Sequence, residues 1–182
     1  IDPGEVRKGD LLGIMGANAL GKTTMMKMIA GVEKPDSGSI DKKIKISYKP
    51  QYLTNDVDIE VVTMLENAND GAIDGTTEEE QIIEPLRIKK LYNKSMKYLS
   101  GGELQKVAVA TCLLKKVDLY ALDEPSAFLD VEDRIAVGKF LQKFCRSFGK
   151  SAIVIDHDLQ LMDLVSDSMV IFEGVSSCLL YT

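Results

Sequence analysis

Short apolar runs alternate along this chain with stretches whose apolar residues recur at helical spacing. Residues 11–15 (LLGIM) form one such run. A Gly-rich turn follows, and then a segment of helix formers over 22–30. Residues 44–48 alternate as a strand does, whereas 117–122, 152–155 and 169–172 are the continuous apolar runs expected of strands covered on both faces. Between the last three lie predicted helices at 130–148 and 158–165. In the first, Val137, Phe140, Leu141, Phe144 and Phe148 share one face. Strand–helix alternation of this kind predicts an α/β fold with a mostly parallel sheet. Residues 59–99 break the alternation: 59–67 and 78–88 read as helices with no strand between them, and a further helix is predicted at 103–114. The expectation is a helical subdomain over about 59–116, inserted in an α/β core that makes residues 1–182 one domain. The acidic, Gly-containing stretch 69–80 reads as a solvated, mobile loop.

Composition narrows the function classes. Apolar residues make up 45% and charged residues 27% of the 182, an ordinary globular balance that excludes collagen-like or largely disordered readings. The net charge of −6 argues against a basic nucleic-acid binder. No apolar run approaches the roughly 20 residues that span a bilayer, and the opening Ile1-Asp2-Pro3-Gly4 lacks the order of a secretory leader. A soluble, cytoplasmic protein is expected. Cys112, Cys145 and Cys178 are too few and too scattered for a disulfide framework, and the first two read as small buried hydrophobes.

The chemistry is concentrated in four places. Gly16-Ala17-Asn18-Ala19-Leu20-Gly21-Lys22-Thr23 fits the phosphate-binding loop G-x-x-x-x-G-K-[ST] between a strand and a helix. Its backbone amides and the helix N-terminus would surround phosphates, Lys22 would reach the β- and γ-phosphates, and the Thr23 hydroxyl would bind Mg²⁺. The run 118–124 (DLYALDE) is an apolar strand ending in two carboxylates. Asp123 suits a Mg²⁺ shell and Glu124 suits the base that polarises an attacking water. Leu99-Ser100-Gly101-Gly102-Glu103 opens a helix, as a second anion-holding N-terminus or as a simple N-cap by Ser100. His157, the one histidine, follows a strand at the same sheet edge and could contact a γ-phosphate. Gln51, just after the 44–48 strand, could reach Mg²⁺ or the attacking water.

In this order the motifs resemble the nucleotide-binding domain of ABC-type ATPases. Residues 16–23 match its Walker A loop, Gln51 its Q-loop, 99–105 its signature motif, 120–124 its Walker B strand, 126–130 its D-loop and His157 its switch histidine. Tyr48-Lys49-Pro50-Gln51, residues 99–108 (LSGGELQKVA), 118–127 (DLYALDEPSA) and 172–175 (FEGV) look more closely like the second nucleotide-binding domain of the ABC-E subfamily. These RNase L inhibitor proteins split ribosomes for recycling. The resemblance implies a P-loop NTPase core that binds ATP with Mg²⁺. It assigns nucleotide contacts to Gly16, Asn18, Ala19, Gly21, Lys22, Thr23, Thr24, Ser100, Gly101 and Gly102. It assigns metal contacts to Thr23, Gln51 and Asp123, and catalysis to Glu124, His157 and Gln51.

It also implies a longer protein, with a partner nucleotide-binding domain in the same chain and ribosomal subunits and recycling or initiation factors as partners. The ATPase subunit of a membrane transporter is the alternative. A chromosome-maintenance ATPase is disfavoured because only 78 positions, without sustained heptads, separate Lys22 from Ser100. Two departures stand out. The strands that carry the adenine-stacking aromatic in this superfamily are not among residues 1–182, which open just before the Walker A strand. Ala19 occupies a position usually held by glycine, at a cost of roughly 1 kcal/mol or more if the loop requires φ > 0.

Overall fold

The computed structural model describes residues 6–38, 40 and 44–173. Five parallel strands form one sheet: β1 (Leu11–Gly16), β2 (Ile46–Lys49), β3 (Leu119–Asp123), β4 (Ser151–Ile155) and β5 (Ser168–Phe172). Their spatial order is β2-β3-β4-β1-β5, so the first, third and fourth strands lie side by side. Period two sorts each strand between two layers. Tyr120 and Leu122 of β3 and Ala152 and Val154 of β4 enter the larger core, and Ala121, Ile153 and Ile155 enter the smaller one. The smaller core is closed by Met26 of α1 (Lys22–Ile29). The larger is closed by α3 (Gly101–Leu114), α4 (Val131–Phe148) and α5 (Leu159–Val165). The phenylalanines of α4 stack in sequence, Phe140 on Phe144 and Phe144 on Phe148, and Phe144 meets Tyr120 of β3 edge-on.

Because all five strands run the same way, their C-terminal ends share one edge. The loops after β1, β2, β3 and β4 carry the phosphate-binding motif, Gln51, Glu124 and His157. Each helix start nearby is fixed locally. Asp130 caps α4 by accepting from the Asp133 amide, Asp158 caps α5 from Leu161, and Ser100 with Glu103 forms a reciprocal capping box on α3.

Between β2 and β3 no strand occurs among the described residues. This stretch holds α2 (Val61–Asn69), short turns and α3. Two expectations need correction here. The helix predicted at 78–88 is a single π-helical turn, Glu79–Ile83, followed by irregular turns. Pro85 lies within the predicted span and cannot donate a helical hydrogen bond. The Glu84 amide instead reaches back five residues to Glu79, and Arg87 takes φ 56°. Nor is 69–80 simply a solvated loop. Ile73 is fully buried, and the buried Glu79 carboxylate accepts from the Gly75 amide and the Tyr92 hydroxyl and pairs with Lys89. Cys112 and Cys145 are buried free thiols, raised by burial to about 11 and about 12. Cys178, and Gly174 and Val175 of the 172–175 run, lie outside the described residues.

Leu141, 2% exposed, packs at the centre of the larger core. Leu141→Ala should destabilise by about 2–5 kcal/mol through lost burial and a cavity, read as a lower midpoint of denaturant unfolding.

Candidate functional site

At the C-terminal edge of the sheet a cavity of about 530 Å³ opens. Asn18, Ala19, Gly21, Lys22, Thr23 and Thr24 line one side, and Gln51, Glu124 and His157 line the other. Nine of the residues singled out from the sequence therefore meet in one place. Gly16 lies just outside, at the end of β1, with φ 145°. A Cβ there would stand 2.5 Å from the Phe172 carbonyl oxygen, so the close approach of β5 requires glycine. Lys22 is buried, and its ammonium donates to the carbonyls of Gly16 and Ala17 at 2.7 Å each, which pins the cation at the mouth of the loop. Ala19 has φ 63°. The departure noted in the sequence thus falls in left-handed backbone, at about 1–2 kcal/mol for a residue with a Cβ.

Opposite the loop, Glu124 is the hub. Its Oε1 accepts from Gln51 Nε2 at 2.8 Å and lies 2.8 Å from His157 Nε2. His157, read from the sequence as a γ-phosphate contact, is partnered here by the Glu124 carboxylate at the rim of the same cavity. Glu124 itself has φ 47°, a left-handed conformation of the kind that persists only when surrounding bonds impose it. Its amide donates to the Ile155 carbonyl of β4 at 2.8 Å, and its carbonyl accepts from the Ala127 amide at 3.3 Å.

Asp123 is fully buried at the end of β3, and both carboxylate oxygens lack a hydrogen-bond partner of good geometry. Burial raises its pKa, while the neighbouring Thr23 hydroxyl and the Lys49 cation oppose the shift. Two buried carboxylate oxygens without a well-formed hydrogen bond, beside a hydroxyl, are the donor set a hard divalent cation completes, so Asp123 and Thr23 fit Mg²⁺ on their chemistry.

Ser100, Gly101 and Gly102 do not line this cavity. Ser100 Oγ caps its own helix, accepting from Glu103 N at 3.3 Å, and the two glycines pack against Phe128. Cβ atoms on them would come within 3.2 Å and 3.1 Å of that residue. The N-cap reading of Ser100 therefore holds within this chain.

Three residues were missed. Lys49, 1% exposed at the end of β2, donates to the carbonyls of Asp123 at 2.8 Å and Glu124 at 3.1 Å. Burial lowers its pKa to about 8 despite the acids nearby. Gln105, buried on α3, reaches the Glu124 carbonyl at 3.4 Å. Asp156, also buried, accepts from the amides of Ser126, His157 and Asp158, tying the turn after β3 to the turn after β4. The available signals were a lysine adjoining a predicted strand just before Gln51 and an acid just before His157.

With this geometry in hand, likeness to known proteins can be read. A family model described as ABC transporter matches residues 4–127. An uncharacterised ABC transporter ATP-binding protein of Methanocaldococcus jannaschii is 44% identical over 96% of this chain, which spans 29% of that protein. ABC transporter E family member 3 of Arabidopsis thaliana is 36% identical over 87% of this chain and 91% of its own length. Two solved structures, the RNase-L Inhibitor and the complex of archaeal ribosomal stalk protein aP1 with the archaeal ribosome recycling factor aABCE1, each superpose at TM-score 0.88. Both are 42% identical and cover 96% of this chain, and the chain spans 34% of each.

Replacing Ala19 by glycine should relieve left-handed strain, less the extra freedom glycine gives the unfolded chain. The expected net gain is up to about 1 kcal/mol, measured as a raised unfolding midpoint. A lowered midpoint would show that the loop does not hold Ala19 in this conformation.

Proposed function

As this chain belongs to the ABC transporter family, and within it to the E subfamily, we propose that it binds and hydrolyses ATP to drive closure against a partner nucleotide-binding domain, and that this closure splits ribosomes. The observation that carries the catalytic part is the convergence of Gln51 and His157 on Glu124, across one cavity from the phosphate loop. Likeness to the archaeal ribosome recycling factor supports the cellular part.

In this reading Lys22, Thr23, Thr24 and the amides of Gly16, Asn18, Ala19 and Gly21 hold the triphosphate. Thr23, Asp123 and Gln51 would hold Mg²⁺, which when bound neutralises charge on the phosphates. Glu124 orients the attacking water and takes its proton at Oε2. Gln51 and His157 hold the other carboxylate oxygen, Oε1, and so fix the direction in which Oε2 faces. Ser100, Gly101 and Gly102 serve a nucleotide held by the partner domain, because their own cavity lies elsewhere. There the α3 N-terminus adds a second dipole toward developing negative charge. The isolated chain is therefore expected to be weakly active. Ribosomal subunits and recycling or initiation factors are the partners of the whole protein, in the cytoplasm. Among the described residues no helix is long and apolar enough to cross a membrane.

Glu124→Gln should keep ATP binding and slow turnover by roughly 10²–10⁴-fold, measured as phosphate release at saturating ATP. Parental turnover would remove Glu124 from this role. Lys22→Ala should abolish ATP binding. Ser100→Arg in the full-length protein should spare ATP binding at the Lys22 site and block turnover at the partner's. The cellular role is tested by sedimentation of intact ribosomes: the full-length protein with ATP should convert them to subunits. Unchanged ribosomes, with the protein recovered on membranes, would favour a transporter subunit.

A further inference from the structure

We propose that Lys49 is a positioning residue for hydrolysis: its buried ammonium grips the turn after β3 from beneath and holds Glu124 in the left-handed backbone conformation that presents its carboxylate to Gln51 and His157. The inference rests on the reading of Glu124 as the residue that orients the attacking water.

Four observations support it. Lys49 is 1% exposed, yet among the described residues its hydrogen bonds go to main-chain oxygens, not to a carboxylate. Burying an ammonium is costly unless its donors are used, so those two bonds are strong local constraints. The two acceptors are the carbonyls of the successive peptides on either side of the Glu124 Cα, Asp123 O at 2.8 Å and Glu124 O at 3.1 Å, and Glu124 carries φ 47°. The neutral donors to the Glu124 carbonyl are longer, 3.3 Å from the Ala127 amide and 3.4 Å from Gln105. Finally, Lys49 does not line the phosphate cavity, so it acts on Glu124 through the backbone and leaves nucleotide contacts alone.

Without the ammonium, the strained peptide is free to relax toward negative φ. The carboxylate then swings off its shared contact with Gln51 and His157. The loss falls on turnover, because what the two carbonyl bonds set is the direction of the carboxylate that orients the attacking water.

The test uses the full-length protein with Lys49→Met, Lys49→Arg, Lys49→Gln and the double variant Lys49→Met/Glu124→Gln. Two quantities are read: steady-state phosphate release, and binding of a fluorescent ATP analogue without Mg²⁺. Lys49→Met should lower kcat roughly 10–10²-fold. Analogue affinity and KM should stay within about twofold of the parent. Lys49→Arg, which can donate to both carbonyls, should recover most of kcat. In the Glu124→Gln background Lys49→Met should cost nothing further, since the group it positions is already gone.

Parental kcat in Lys49→Met overturns the proposal. So does an equal loss with and without Glu124, or a loss of analogue affinity that Lys49→Arg does not restore. If Lys49→Met fails to fold, Lys49→Gln decides: reduced kcat at unchanged KM supports the proposal, and unchanged kcat overturns it. Glu124→Gln turning over at the parental rate would instead defeat the assignment of Glu124 itself. Slow Glu124→Gln with parental Lys49→Met defeats only the role of Lys49.

Discussion

The turn at Glu124 is the point on which the site depends, because three separated segments, 49–51, 105 and 155–157, are bonded to one residue there. Its amide is taken by the end of β4, its carbonyl by Lys49 from β2 and by Gln105 from α3, and its carboxylate by Gln51 and His157. A parallel sheet makes this convergence possible, since every strand delivers its C-terminal loop to the same edge. The convergence has a cost. Glu124 sits in a backbone conformation that a side chain with a Cβ disfavours, by an amount of order 1–3 kcal/mol. The surrounding bonds over-determine the turn, so the strain persists and the carboxylate arrives in the cavity already aimed.

Much of this was legible in the amino-acid sequence, for a physical reason. Buried parallel strands must be apolar over their whole length, so β1, β3 and β4 stand out as runs, and α4 shows itself through Val137, Leu141 and Phe144 on one face. The phosphate loop and the Asp-Glu pair are local in the chain, so their chemistry can be read from adjacent residues. What escaped notice was non-local. Lys49 finds its acceptors 74 and 75 residues away, and nothing in its immediate neighbourhood distinguishes a buried lysine from a solvated one at a strand end. Residues 78–88 are a different case. Apolar spacing at 78–88 is compatible with a helix, but Pro85 removes a donor and the chain takes a single wide turn instead. At 69–80 the acidic composition suggested solvent, whereas Glu79 turns inward because an amide, a tyrosine hydroxyl and a lysine converge on it.

Ala19 shows how a local motif and the backbone geometry inform each other. The pattern G-x-x-x-x-G-K-[ST] leaves that position free, so the sequence alone does not say whether alanine matters. At φ 63° it does, because the loop must curl to point successive amides inward. The strain there and at Glu124 lies on opposite walls of one cavity. A rigid scaffold carries both, and the sheet edge between them is anchored by the buried core beneath, where Ile14, Ala121 and Ile155 are at most 1% exposed.

The same geometry bears on why one chain would make only half of a working site. Of the two helix N-termini that the sequence motifs single out for anions among the described residues, those of α1 and α3, it is α1 that opens onto the cavity. The first turn of α3 is braced from outside by the Lys94–Glu103 ion pair and by the packing of Gly101 and Gly102 on Phe128. Swinging it toward Lys22 would break the packing on Phe128, so within one chain the two anion-binding ends are not expected to close on one phosphate. Phe128, beside that turn, stands 79% exposed in a left-handed conformation, φ 61°. Under the proposed function, this exposed ring and the neighbouring helix N-terminus form the face that the partner domain would cover. Under the proposed function, covering it would dry the cavity of that second domain and strengthen every hydrogen bond aimed at its phosphates.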